Sequence, residues 1–190
     1  MTDYNCLISS EGRSLLRALC GRTLESIEGY RCDFALSEDK TTFYSVARLH
    51  MADGDAYDLR VELVRVDITG ETWDDVGKYS FERAEGGIWL PEGVKAFKLN
   101  VQRRIERVVL ANDFDELFHA GLKTRSFAFT RAVLFQSGLE YLSLSVDDFS
   151  EDAIVVQRGF DLKELVPDGS GSWYDEPGWT DNYSRMFELP

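Results

Sequence analysis

Apolar residues in this chain mostly alternate with polar ones, which is the pattern of β-strands that bury one face. The run at 42–51, TFYSVARLHM, is rich in aromatic and β-branched side chains, and a second apolar run follows at 59–68. DGD at 53–55 is a turn signal between them, so the two runs predict a hairpin. In the second run the apolar positions change from odd to even numbers at Leu63 and Val64. This change predicts a β-bulge or a stretch buried on both faces.

The middle of the chain predicts shorter strands separated by turns. Glycine and proline bracket Ile88, Trp89 and Leu90, which indicates a short strand. The alternation over 97–109 would make one strand about 40 Å long. We therefore expect a break near Gln102 to Arg104.

A second hairpin is predicted further along the chain. Apolar alternation over 127–135 and over 142–146 flanks QSG at 136–138, which is typical of a turn. After an acidic turn, Ile154, Val155 and Val156 predict a last buried strand.

Two short helices are expected among these strands. Polar residues precede Leu15, Leu16 and Leu19, and Gly21 follows, which predicts a helix over 11–20. Asp113 and Glu116 resemble a capping box, so a second short helix is predicted over 114–120.

The predicted fold class is α+β, mostly antiparallel β-sheet with one or two short helices. Short matches spaced by 80 to 84 residues, such as LESI at 24–27 with IERV at 105–108, suggest an internal duplication. The domain hypothesis is a β-rich half at 1–93, a β-rich half at 94–168 and a C-terminal segment at 169–190 packed on both. Chance similarity and one continuous domain are the alternatives.

Acidic residues dominate the composition. There are 34 acidic and 21 basic residues, and the formal net charge is −13. This charge disfavours binding to nucleic acid and favours a basic protein partner. The charge is also uneven, since residues 95–131 hold eight basic and four acidic side chains while 147–190 hold three basic and eleven acidic ones. Arg103, Arg104 and Arg107 are expected to pair with acids or cover a sheet face, with a phosphate site as the alternative.

The cysteines and the first residues predict a cytoplasmic protein. Cys6, Cys20 and Cys32 are few and odd in number, which is typical of a reducing compartment. MTDYNCLISS at the start lacks the features of a signal peptide. No run is long and apolar enough to predict a membrane span, and no pattern bears on the oligomeric state.

The common catalytic motifs do not occur in the sequence. Signatures for phosphate-binding loops, dinucleotide binding, serine hydrolases and zinc proteases are missing. We therefore expect no cofactor and no metal, and the chain is interpreted as a non-enzyme with catalysis left open. His50 and His119 are the only histidines, and their contexts do not predict that they meet.

Two acidic turns are weak candidates for a cation or for acid catalysis. Asp53, Asp55 and Asp58 resemble the start of a calcium loop, but Tyr57 stands where a further ligand is needed. DDFSED at 147–152 offers paired carboxylates, which glycoside hydrolysis uses. In both cases a solvated turn is the preferred interpretation.

The C-terminal segment is the preferred partner-binding site. It begins with linker composition, yet it contains two of the four tryptophans and is too apolar for a disordered tail. Either it is a strap packed on its own domain, or it presents an aromatic cluster with an acidic rim to a partner. The candidate binding residues are Trp173, Tyr174, Asp175, Glu176, Trp179 and Asp181.

Three functions are consistent with the sequence. The preferred hypothesis is a non-enzymatic binding protein for a basic partner, similar in kind to an inhibitor or immunity protein. The alternatives are a carboxylate-dependent or metal-assisted hydrolase with a site between the halves, and a structural or assembly subunit.

Overall fold

Two mostly antiparallel β-sheets form the protein. The computed structural model describes residues 2–32, 40–146, 152–167 and 177–190. One short helix accompanies the sheets in this part of the chain. The fold is therefore largely β, and the predicted α+β class overstates its helical part.

The larger sheet contains eight strands in the described residues. In spatial order they are β13 (Trp179–Glu188), β9 (Arg107–His119), β10 (Leu122–Ser137), β11 (Glu140–Val146), β12 (Ala153–Gly159), β4 (Lys40–Tyr44) and β3 (Arg31–Cys32), while β1 (Thr2–Cys6) pairs with β10 in parallel. The strands from β9 to β12 are successive antiparallel neighbours. The predicted hairpin around residues 136–138 and the last buried strand are confirmed.

The smaller sheet contains five strands. Their order is β7 (Trp73–Arg83), β6 (Ala56–Asp67), β5 (Val46–Met51), β2 (Thr23–Gly29) and β8 (Phe97–Arg104). Pairing of β5 with β6 confirms the first predicted hairpin. The run 97–109 is also broken, as predicted near Gln102 to Arg104, since β8 ends at Arg104 and β9 begins at Arg107. The predicted strand at 88–90 is wrong, because residues 84–96 form no strand.

The main core lies where the two sheets meet. Buried side chains from both sheets form one cluster that includes Tyr57, Tyr79, Leu110 and Leu144. The helix α1 (Ser10–Ala18) adds Leu16 to this cluster, and the side chain of Ser9 caps it by accepting a hydrogen bond from the N–H of Gly12. The first predicted helix is therefore confirmed. A helix that crosses a membrane needs about 20 apolar residues, and none occurs in the described residues.

The change of apolar phase in β6 has another cause than the predicted bulge. The β6–β7 ladder runs without a register shift from Tyr57 opposite Arg83 to Asp67 opposite Trp73. Tyr57 belongs to the main core, whereas Val66 belongs to a second cluster that also contains Phe127 of β10. The strand therefore uses one face in its first half and the opposite face in its second half.

The predicted helix at 114–120 is wrong. Residues 114–119 continue β9, which pairs with β10 on one side and with β13 on the other, and Ala120 lies in the turn that follows. Asp113 does not cap a helix; its buried carboxylate pairs with Arg131 and Arg185. The two ladders satisfy the backbone on both sides of the strand, which outweighs the local helical signal.

Each sheet contains strands from both sides of the predicted boundary at residue 93. β8 follows the boundary and pairs with β2, while β4 precedes it and pairs with β12. The duplication is not confirmed. The division into 1–93 and 94–168 stays a prediction.

A close approach between the sheets at Gly29 gives a test of this packing. A Cβ atom at Gly29 would lie 2.7 Å from the ring of Phe43 and 2.7 Å from the carbonyl oxygen of Val46. We expect Gly29→Ala to lower the free energy of unfolding by about 1–3 kcal/mol, because a backbone oxygen cannot yield as a side chain can. Gly87→Ala is the matched control, because a Cβ there meets nothing within 4 Å. Urea unfolding measures both, and equal stability of the two variants would contradict the packing.

Candidate functional site

The predicted binding residues fall partly on strand β13. Trp179 begins this strand and Asp181 is its third residue, and both are half-buried. Trp173, Tyr174, Asp175 and Glu176 lie outside the described residues. β13 pairs with β9 along its whole length, from Trp179 opposite His119 to Glu188 opposite Leu110.

The ring of Trp179 packs on its own chain. It stacks on the ring of His119 with 4.8 Å between ring centroids, and it contacts the second cluster. Whether the segment as a whole is a strap or a partner-binding surface stays a prediction. Trp179 is half-buried, so part of this residue stays accessible.

A buried ion pair holds β13 against β9. The carboxylate of Asp113 is fully buried. Arg185 donates to it from Nε over 2.6 Å and from Nη2 over 2.8 Å, and Arg131 of β10 lies 3.4 Å away. Arg185 also donates to the carbonyl oxygen of Pro167 over 2.8 Å. Two-pronged arginine–carboxylate contacts are both strong and geometrically specific, so this contact fixes the register of β13.

The other end of β13 is attached to helix α1. Glu188 accepts hydrogen bonds from Arg13 of the helix and from Asn112 of β9. Arg17 donates from Nε to the carbonyl oxygen of Pro190 over 2.9 Å. The C-terminal half of β13 is therefore bound by charged side chains at Arg185 and Glu188, whereas its first residue, Trp179, is held by the ring of His119.

Asp115 has the same buried position as Asp113 but lacks its partners. Its exposed fraction is 1%, and neither carboxylate oxygen has a well-aligned hydrogen-bond partner among the described residues, although the backbone N–H groups of Glu116 and Asn182 lie close to it. Its neighbour across the ladder is Tyr183, whose hydroxyl is also buried without a well-aligned partner there, although the carboxylate of Asp113 lies close to it. Buried polar groups normally have partners, so this pair is the unusual feature of the strand.

The surroundings of Asp115 favour its protonated form. Burial, and after it the negative charge of Asp181, raise the pKa of Asp115 to about 6, although the backbone N–H groups of Glu116 and Asn182 oppose this rise. The pKa of Tyr183 is raised to about 12, chiefly by burial and then by the charge of Asp113. Asp115 therefore changes charge near pH 6 beside a second carboxylate.

This arrangement can accept a positive charge or exchange a proton. A lysine or arginine near Asp181 would supply the counter-charge that Asp115 lacks. As a carboxylic acid with a raised pKa, Asp115 also has the property of a general acid. However, none of the three cavities found among the described residues is lined by Asp115.

The other candidates from the sequence lie elsewhere. Asp53 and Asp55 both bind Arg22, so the first acidic turn is an ion-pair network. His50 bonds to Glu28 in the smaller sheet and does not meet His119. Residues 147–151 of the second acidic turn lie outside the described part. Within that part, no group of three or more histidine, cysteine or acidic side chains is placed to hold a metal ion.

The sequence did not predict the ion pairs of Asp113 with Arg131 and Arg185. Asp113 and Asp115 stand two residues apart in a run that is otherwise apolar at alternate positions, and Tyr183 and Arg185 repeat this spacing in β13. Such matched spacing in two strands is the only sequence signal that could have indicated the pairing.

Comparison of the chain with known protein families, curated proteins and solved structures finds no match to any of them. The site is therefore interpreted from its own geometry.

The charge state of Asp115 predicts how stability depends on pH. Its pKa is about 6 in the folded protein against an ordinary value of 3.8, so the folded state binds the proton more tightly than the unfolded chain. The stabilisation is complete below about pH 4 and is lost as the pH rises through about 6. Asp115→Asn should remove this component, so its free energy of unfolding should fall less than that of the wild type over this range.

Urea unfolding at a series of pH values measures the difference. Asp161→Asn is the matched control, since Asp161 is exposed. A wild type and an Asp115→Asn variant with the same pH profile would contradict the unpartnered state of Asp115.

Proposed function

We propose that the protein is a non-enzymatic binding protein for a basic protein partner, and that the partner contacts the start of β13. The contact surface includes Trp179 and Asp181, and it extends to Trp173, Tyr174, Asp175 and Glu176 before them. We also propose a cytoplasmic location, which is supported by the small and odd number of cysteines, Cys6, Cys20 and Cys32.

The main support is that, within the described part of the chain, no cationic side chain pairs with Asp115. Asp113 is neutralised by two arginines, whereas Asp115 has a second carboxylate, Asp181, as its charged neighbour. Asp181 is half-buried and therefore reachable. A cationic side chain from a partner would be attracted by both carboxylates and would relieve their repulsion.

The shape of the surface supports a protein as the partner. β13 is the outermost strand of the larger sheet in the described part of the chain. Such a strand offers its backbone N–H and C=O groups to an added strand. Its other face carries exposed polar residues and Met186, which is 52% exposed. The net charge of −13 would speed the approach of a basic partner.

A hydrolase is the second candidate. Asp115 with its raised pKa and Asp181 with a partly exposed carboxylate resemble an acid and base pair. This candidate ranks second because the described cavities do not reach Asp115. The outermost position of β13 among the described strands equally favours an assembly subunit, in which a second copy would pair with this strand.

The variant Asp181→Asn, which removes one negative charge from the proposed surface, tests the binding proposal. A short peptide rich in lysine and arginine is titrated by calorimetry at low and high salt. We expect a saturable complex with one peptide per chain, and Asp181→Asn should weaken it about tenfold, the loss of one charge-assisted hydrogen bond. Glu62→Gln is the matched control, because it removes the same charge from an exposed site on β6.

Equal weakening by Asp181→Asn and Glu62→Gln would indicate general electrostatic attraction and would overturn the proposed surface. No saturable binding at low salt would overturn the basic partner. Turnover of simple ester or glycoside substrates that is lost in Asp115→Asn would favour the hydrolase instead.

A further inference from the structure

A small cavity opens between the two sheets, away from β13. Its volume is about 20 Å³, which is room for one water-sized group such as a terminal methyl. Its floor comes from β2 and β8 of the smaller sheet, from β10 and β11 of the larger sheet, and from the link between β8 and β9. The apolar floor residues are Leu24, Val101, Ile105, Phe135 and Leu142.

Three arginines stand at the rim of this cavity. They are Arg103, Arg104 and Arg158. Arg103 lies 3.2 Å from Glu140, the one acidic residue in the lining. The rim thus carries more positive than negative charge, although the whole chain has a net charge of −13.

Two of the rim arginines are oriented by backbone carbonyls. Arg104 donates from Nε to Gly21 over 3.3 Å, and Arg158 donates from Nη2 to Asn100 over 3.2 Å. Within the described part of the chain, neither Arg104 nor Arg158 forms an ion pair with a carboxylate. Each therefore keeps N–H donors for an anion.

An irregularity of β8 places the arginines at the rim. The register between β2 and β8 shifts between Leu24 and Ser26, and Gln102 in the bulge has a φ of 52°. This left-handed conformation is unfavourable for a residue other than glycine. Bulges of this kind redirect the side chains that follow them, here Arg103 and Arg104.

We propose that this cavity binds a short alkyl carboxylate. The carboxylate accepts hydrogen bonds from the rim guanidinium groups, whose planar donors match its two oxygens, and the end of the alkyl group enters the apolar cavity. Two features together indicate this ligand class: the positive rim selects an anion, and the apolar floor selects a ligand with an apolar end.

Butanoate is the probe for this site. Titration is followed by NMR of the methyl groups of Val101, Ile105 and Leu142. We expect saturable shifts with a dissociation constant of about 1 mM, the range for so few ligand atoms. Arg103→Gln and Arg158→Gln should each weaken binding about tenfold. Glu140→Gln should strengthen it, because it removes the carboxylate that competes for Arg103.

Arg107→Gln is the matched control, since Arg107 is exposed close to Arg103 in sequence but does not line the cavity. Unchanged affinity for butanoate in Arg107→Gln supports the proposal. An affinity reduced as much as in Arg103→Gln would overturn it, because the arginines would then attract the anion only through their general positive charge. Butanamide that binds as tightly as butanoate would overturn the role of the charge. Inorganic phosphate that binds as tightly as butanoate would overturn the role of the alkyl group, and the absence of saturable shifts would overturn the site.

Discussion

The carboxylate of Asp113 is the group on which the C-terminal part of this fold depends. It is fully buried, and a buried charge without a counter-charge costs several kcal/mol. Arg185 of β13 and Arg131 of β10 supply that counter-charge from the two neighbouring strands. The contact therefore stabilises three strands in one register, and the hydrogen bond from Arg185 to Pro167 joins the preceding segment to them.

The same register creates the candidate site. Once Arg185 lies opposite Asp113, Tyr183 must lie opposite Asp115, because side chains on one face of a strand recur every second residue. Asp113 and Asp115 then differ only in their partners. The first is neutralised and structural, while the second retains a raised pKa beside Asp181. This contrast between two acids on one strand supports the proposed recognition of a cationic partner.

Patterns within a few neighbouring residues correctly predicted the helix and the hairpins whose formation depends on those residues. Both hairpins and the first helix follow from apolar alternation, turn residues and a cap within a few positions. The helix at 114–120 was wrong because its capping pattern is local, whereas the strands that pair with β9 are not. Arg185 lies 72 residues from Asp113, and no spacing rule spans that distance. Trp179 was expected to need a packing surface, but the choice of His119 depends on the register.

Amide hydrogen exchange of β13 measures whether the ion pair of Asp113 with Arg185 fixes this strand. We expect the β13 amides bonded to β9 to exchange as slowly as those between β9 and β10. Arg185→Gln should speed exchange in β13 first, whereas Arg65→Gln, at an exposed ion pair with Asp75, should not. Rapid exchange of β13 in the wild type, or equal effects of the two substitutions, would contradict this role of the ion pair.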